Sequence, residues 1–210
     1  ETFNMNLRDL ERKITKNSKA IIIQHTFGIA SEIDKIKKLA KEYKLVLIED
    51  CAHALGVQYK GKKIGTFSDV AFFSFGRDKI VSSVFGGMVI TKNKEIAKHL
   101  KQFQKNLPSH SLFWVMQQIV HPISFAIILP LYNVFYIGKI LLFFLQKLNV
   151  LSLPVSNQEK HGHKPALYPR RFANGLAVLA YNQLKKLNRF NNHRKEITNI
   201  YMTQLKDFPS

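Results

Sequence analysis

Two apolar runs of strand length flank an amphipathic helical stretch, and this arrangement narrows the fold more than anything else in the chain. "KAIIIQHTFG" (19–28) is β-branched and closes on glycine. "SEIDKIKKLAKEYK" (31–44) places Ile33, Ile36, Leu39 and Ala40 at helical spacing, with Ser31 as the expected N-cap, and "LVLIED" (45–50) is a second apolar run ending on two acids. Strand, helix and strand within about 30 residues make a βαβ unit, and such units build parallel sheets covered by helices. "DVAFFSF" (69–75) and "GGMVIT" (86–91) read as further strands, and "NKEIAKHLKQF" (93–103) as a helix. The expected class is α/β. Ligands of open α/β sheets bind outside the carboxyl ends of the strands, and Asp50, Ser74 and Lys79 lie at or just beyond such ends.

One chemistry needs that trio. A carbonyl cofactor held as a Schiff base requires a lysine amine. A pyridine ring used as an electron sink works only while its ring nitrogen stays protonated, which a nearby carboxylate enforces. A phosphate handle needs hydroxyl and backbone donors. Lys79, Asp50 and Ser74 match these roles in that order. Taken singly, a strand-terminal aspartate is commonly a cap, Ser74 a loop hydroxyl and Lys79 a solvated side chain; their order and spacing carry the reading.

The run "IEDCAHALGVQYKGKKIGTFSDVAFFSFGRDKIVSSVFGGMVIT" (48–91) resembles the core of the DegT/DnrJ/EryC1/StrS family of pyridoxal-phosphate-dependent sugar aminotransferases. "IIIQHTFG" before it resembles the family's strand-and-glycine segment, and "PRRFANGLAVLAYNQLKKLNRFNNHRKEITNIY" (169–201) the segment after the cofactor lysine. The resemblance covers residues 1 to about 105 and 165–205. It implies fold type I of the pyridoxal-phosphate transferases, the aspartate-aminotransferase fold, with an incomplete large domain. It implies that Lys79 bonds covalently to pyridoxal 5'-phosphate, that Asp50 pairs with the pyridinium nitrogen, that Ser74 contacts the phosphate and that His53 lies beside the ring. Read without the family, a lone histidine near a strand end is commonly structural. Arg171 matches an arginine that reaches the neighbouring subunit's site, so a homodimer is expected, although Pro169 stands where the family has asparagine. Phe85 stands where the family usually has an acid, and "RDK" before Ile80 is unusual. Lys79 speaks against the family's dehydratase branch, which has histidine there.

The implied activity is transfer of an amino group from an amino-acid donor to a keto sugar carried on a nucleotide or a lipid. The alternative is an inactive protein of the same fold serving as a membrane-associated scaffold. By family standards the chain resembles the middle of a longer protein, and exposed apolar surface is expected where further segments belong.

Between the two matching parts, residues 112–138 contain no Lys, Arg, Asp or Glu. The expected organisation is therefore the large-domain part over 1–108, a hydrophobic helical insert over 109–153, a polar linker over 154–165, and helices leading into a truncated small domain over 166–210. His161 and His163 in the linker have the spacing of a metal pair but no accompanying cysteine or acid cluster, so no metal is expected. Pro122 and Pro130 are expected to break the insert into helices near 110–121 and 131–148. Both ends of the insert belong to one folded unit, which permits an even number of membrane crossings or none. Residues 112–148 are too few for two spans of about 20 residues each, so a surface-lying or re-entrant hairpin on the inner membrane face is expected. The other reading is that these helices cover the dimer's own apolar surface.

Charge agrees with an anionic surface. The chain carries 32 Lys and Arg against 14 Asp and Glu, a net charge of +18, with Lys98, Lys101 and Lys105 before the insert and Lys139 and Lys147 near its end. No zinc spacing, aromatic RNA-binding strand or helix-turn-helix accompanies it, so nucleic acid is not the expected partner. A single cysteine, Cys51, and no secretory signal pattern point to a cytoplasmic setting.

Overall fold

The computed structural model describes residues 2–153, 155, 157–165 and 168–206. Part of the expected linker (154 and 156), residues 166–167 and the last four residues of the expected small-domain segment lie outside the described residues.

Helix α1 (Leu7–Lys13) leads into strand β1 (Ala20–Gln24), helix α2 (Ile33–Glu42) and strand β2 (Val46–Asp50). A short hairpin, β3 (Gln58–Tyr59) and β4 (Lys62–Lys63), precedes β5 (Val70–Ser74) and β6 (Gly87–Thr91). The main sheet has the order β1-β2-β5-β6; β1, β2 and β5 are parallel, and β6 closes the edge antiparallel to β5. The βαβ unit forms because α2 buries Ile33, Ile36, Leu39 and Ala40, the stripe that helical spacing predicts. Ser31 does not cap α2. Glu32 is its N-cap, and the buried Ser31 hydroxyl instead donates to the Gln24 carbonyl at 2.7 Å, fastening α2 to the end of β1.

Alternation decides what each strand shows to each side. Leu47 and Glu49 of β2, and Ala71 and Phe73 of β5, are buried on the side that α2 covers. Ile48 and Asp50, with Val70, Phe72 and Ser74, take the opposite face, and Asp50 pairs in register with Phe72. That second face is partly open: Ile22 of β1, on the same side of the alternation, is exposed.

Helix α3 (Lys94–Asn106) starts at Asn93, whose side chain accepts from the Glu95 and Ile96 N–H groups. Next comes a helical hairpin, α4 (Leu112–Ile128) and α5 (Ile137–Lys147), then α6 (Asn157–Lys160), α7 (Asn174–Leu184) and α8 (Leu187–Gln204). Pro122 does not end the first hairpin helix: α4 runs through it. Proline removes the hydrogen bond that residue 122 would donate to the Gln118 carbonyl, and packing against both α5 and α7 carries the helix across the gap. The chain turns after Ile128, not at Pro122. A Cβ on Gly138 would stand 2.5 Å from the Ile128 carbonyl oxygen, so only glycine allows α5 to start this close to the end of α4. Among the described residues no helix is long and apolar enough to cross a membrane.

Candidate active site

The open face of the sheet collects the residues singled out above. Asp50 closes β2, where one carboxylate oxygen accepts the Ala52 N–H at 2.9 Å and the other has no hydrogen-bond partner among the described residues. Ser74 closes β5, and its hydroxyl oxygen accepts the Gly76 N–H at 3.3 Å, which leaves the hydroxyl hydrogen free to donate. The chain then turns, with the Lys79 N–H on the Gly76 carbonyl at 3.1 Å. The Lys79 side chain is only 16% exposed, and its Nζ is paired with Asp78 at 2.8 Å. That contact holds the Asp78 carboxyl below its ordinary range, with burial acting in the opposite direction. Gly76 is the hub of this turn: a Cβ there would stand 3.3 Å from Asp78 Oδ1, 3.4 Å from Ser74 Oγ and 3.9 Å from Lys79 Cγ.

His53 lies with its ring parallel to that of Phe27, centroids 5.8 Å apart, and its Nδ1 accepts the Phe27 N–H at 3.5 Å. It is near enough to Asp78 to act on that carboxyl electrostatically. Arg171 is placed differently. Its backbone N–H donates to the Pro108 carbonyl at 3.0 Å and its guanidinium to the Ser109 hydroxyl at 2.9 Å, on the link between α3 and α4. Arg171 meets Ser74 and Gly76 only across a cleft of about 1090 Å³ that all three help to line.

Two groups of functional interest escaped the sequence reading. Glu49, next to Asp50 but on the buried face, accepts five hydrogen bonds: from His25 Nε2 at 3.3 Å, Gly65 N–H at 2.9 Å, Phe67 N–H at 3.1 Å, and the Ser68 N–H and hydroxyl at 3.0 and 2.7 Å. Burial works to raise its pKa, but the donors, His25 and Ser68 foremost, outweigh burial and hold it at about 2. His25 Nδ1 accepts the Ser31 N–H at 3.2 Å, so Nε2 carries the hydrogen. His25, Glu49 and Cys51 bring their ligand atoms within 4.8 Å of one another. The carboxylate oxygens and both imidazole nitrogens are already engaged, however, and burial foremost pushes the Cys51 thiol up and keeps it protonated. This is an internal brace for the 65–68 loop. The readable signal was the alternation itself, which puts one acid of the "ED" pair on each face.

The second group is Arg77, two residues before Lys79. Its guanidinium lies over the Phe85 ring, 5.0 Å from the centroid, and Phe85 in turn meets Trp114 of α4 at 5.4 Å. The aromatic side chain at 85 thus serves as the floor beneath a half-buried cation.

A carboxylate and a hydroxyl end neighbouring parallel strands on one face of the sheet, and a lysine stands in the turn that follows, at the strand ends where open α/β sheets bind ligands. The chain superposes on a solved Helicobacter pylori aminotransferase of pseudaminic acid biosynthesis with a TM-score of 0.67 and 23% identity, covering 98% of this chain and 43% of that one. The fold is fold type I of the pyridoxal-phosphate aminotransferases. Residues 1–112 match the DegT/DnrJ/EryC1/StrS aminotransferase family, and the chain belongs to it. It is 50% identical over 101 residues to an uncharacterized protein of Methanocaldococcus jannaschii, covering 48% of this chain and 26% of that protein. It is 41% identical over 115 residues to the GDP-perosamine synthase of Escherichia coli O157:H7, covering 54% of this chain and 32% of that enzyme. The chain therefore spans about a third or less of the length of these curated relatives.

The family's cofactor is pyridoxal 5'-phosphate, and the donor set is of the right kind for it: a lysine amine, a carboxylate with one oxygen unpartnered among the described residues, and a hydroxyl with its hydrogen free to donate.

Proposed function

We propose that this chain carries the cofactor-lysine part of an aminotransferase that acts on a keto sugar, borne on a nucleotide or a lipid, with an amino acid as donor. The observation that supports the reading is that Asp50 and Ser74 end β2 and β5 on the sheet face that α2 leaves open, with Lys79 in the turn that follows Ser74. The names of relatives such as GDP-perosamine synthase support a nucleotide-sugar substrate.

When bound, pyridoxal phosphate supplies an electrophilic carbonyl carbon and an electron-withdrawing ring. Lys79 provides the amine that bonds to it. The same Nζ, when free, would hold and move a proton beside that carbon, with Asp78 as its resting partner. The free oxygen of Asp50 would hold the ring N–H, Ser74 would donate to the phosphate, and His53 would flank the ring. Arg171, held at the edge of the cleft by Ser109, reaches a substrate in the partner subunit of a homodimer. In this reading the large-domain part runs over 1–108, the insert over 109–153, the linker over 154–165 and the start of the small domain over 166–210.

The insert holds the enzyme on the cytoplasmic face of a membrane. Helix α4 is arranged with its polar side inward. Gln118 is 0% exposed, whereas Leu112 and Phe113 are 77% and 70% exposed, and Phe135 in the turn is 87% exposed. An apolar outer face rimmed by Lys139 over the Tyr136 ring (4.6 Å) and Lys147 over the Phe143 ring (6.0 Å) suits an anionic lipid surface.

The test is the visible spectrum of the full-length protein with added pyridoxal phosphate. A yellow protein whose band disappears in Lys79→Ala is expected. Asp50→Ala should keep the band and lose turnover. A protein that stays colourless removes the enzyme reading.

A further inference from the structure

The turn that carries Lys79 is fastened to the apolar hairpin by the hydrogen bonds of Arg77. Arg77 Nη1 donates to the Ser152 carbonyl at 2.8 Å, and Nη2 donates to Gln118 Oε1 at 3.3 Å and also to the Ser152 hydroxyl oxygen. The Ser152 hydroxyl donates onward to Gln118 Oε1 at 2.8 Å. Gln118 is wholly buried, and its Nε2 is spent on the Trp114 carbonyl at 3.2 Å and on Gln117 Oε1 at 3.0 Å. Arg77 thus ties the 76–85 segment to α4 and to the residues just after α5.

Every acceptor that Arg77 meets among the described residues is uncharged. Burial drives its basicity down, and a guanidinium taken out of water without hydrogen bonds costs several kcal/mol. The hairpin's acceptors and the Phe85 ring supply most of that compensation for the two terminal nitrogens, while Nε is buried without a hydrogen-bond partner among the described residues. The backbone follows: the Lys79 N–H closes on Gly76 and the Ser83 N–H on the Phe75 carbonyl at 3.0 Å, so the residues bracketing Arg77 form one compact loop at the end of β5.

We propose that Arg77 is a positioning residue through which the hairpin fixes the turn carrying Lys79, so that the insert is part of the active-site scaffold as well as an outer surface. The meaning for catalysis rests on Lys79 being the cofactor lysine; the geometry and its test do not.

The experiment uses the full-length protein without cofactor. Amide hydrogen exchange over 78–84 and the rate of Lys79 acetylation by acetic anhydride, read residue by residue by mass spectrometry, are compared in wild type, Arg77→Lys, Gln118→Leu and Gln118→Glu. Arg77→Lys keeps the charge and loses the fork; it and Gln118→Leu should each raise exchange over 78–84 about tenfold and speed Lys79 acetylation, with β1 and β2 amides unchanged. Gln118→Glu, which still offers an acceptor to the guanidinium, should retain protection. Unchanged exchange and acetylation in the first two variants overturn the proposal. So does an equal rise across β1 and β2, which would make Arg77 a general stability residue. A colourless full-length protein would end the aminotransferase reading and leave these readouts standing, so the two failures are distinct.

Discussion

Replacing Glu49 by glutamine removes one charge from a site where five donors converge on two carboxylate oxygens. Whichever way the amide turns, its NH2 group faces an N–H donor: Gly65 on one side, or Phe67 and Ser68 on the other. The carboxyl is held at about 2 against an ordinary 4.5. At about 1.4 kcal/mol per unit, that difference corresponds to about 3 kcal/mol of folding stability at neutral pH. Because the folded-state pKa is the lower one, the contribution is full above about pH 5 and drains away as pH falls toward 2. Urea unfolding followed by circular dichroism, on wild type and Glu49→Gln at a series of pH values, isolates the effect, since the other carboxylates titrate in both chains. The wild-type advantage should be about 3 kcal/mol at pH 7 and smaller by about 1 kcal/mol at pH 3.5. An advantage below about 1 kcal/mol at pH 7, or one that does not change with pH, would refute the account of Glu49 as a brace held by charge-assisted bonds.

Three further outcomes are expected. His121 is kept neutral by burial and secondarily by the Arg77 charge, which hold its pKa near 4. Proton NMR should show its ring titrating well below the ordinary histidine value of 6.5, and Arg77→Met should move it upward; an unmoved titration would deny the influence of the Arg77 charge. Because the unfolded chain takes up this proton first, His121 also withdraws stability as pH falls from about 6.5 toward 4, and His121→Phe should flatten unfolding midpoints over that window. Gly76→Ala should fold normally but weaken cofactor binding in the full-length protein by about tenfold or more, because the new methyl stands among Ser74, Asp78 and Lys79; unaltered binding, measured by absorbance titration, would show that the cradle is not used. Changing the exposed Ile123, Ile127 and Phe135 together to serine should cut sedimentation with anionic phospholipid vesicles about tenfold or more; equal sedimentation would leave the hairpin without its membrane role.

Local pattern made the sheet readable. Ile33, Ile36, Leu39 and Ala40 announce α2 because burial of one helix face imposes a period, and Asp50 and Ser74 are visible because each ends an apolar run. Ser31 was misread because its hydroxyl has two uses near a helix start, and the tertiary bond to Gln24 wins over capping. Pro122 was misread because the rule counts the hydrogen bond lost and not the packing of α4 on α5 and α7. Arg77 was passed over because its partners lie 41 and 75 residues away, distances at which no periodicity connects them. The faint signal was Gln117 and Gln118 themselves, two amides in a run with no charge.

The knot at Arg77 also constrains history and bench work alike. A loop that carries a half-buried cation and a hairpin that carries its acceptors are each a defect without the other, so the two changes depend on one another once both are in place. Trimming residues 110–150 to obtain a better-behaved protein would take Gln118 from Arg77 and cut the chain two residues before Ser152, its other acceptor. The shortened chain would then need a compensating substitution at position 77.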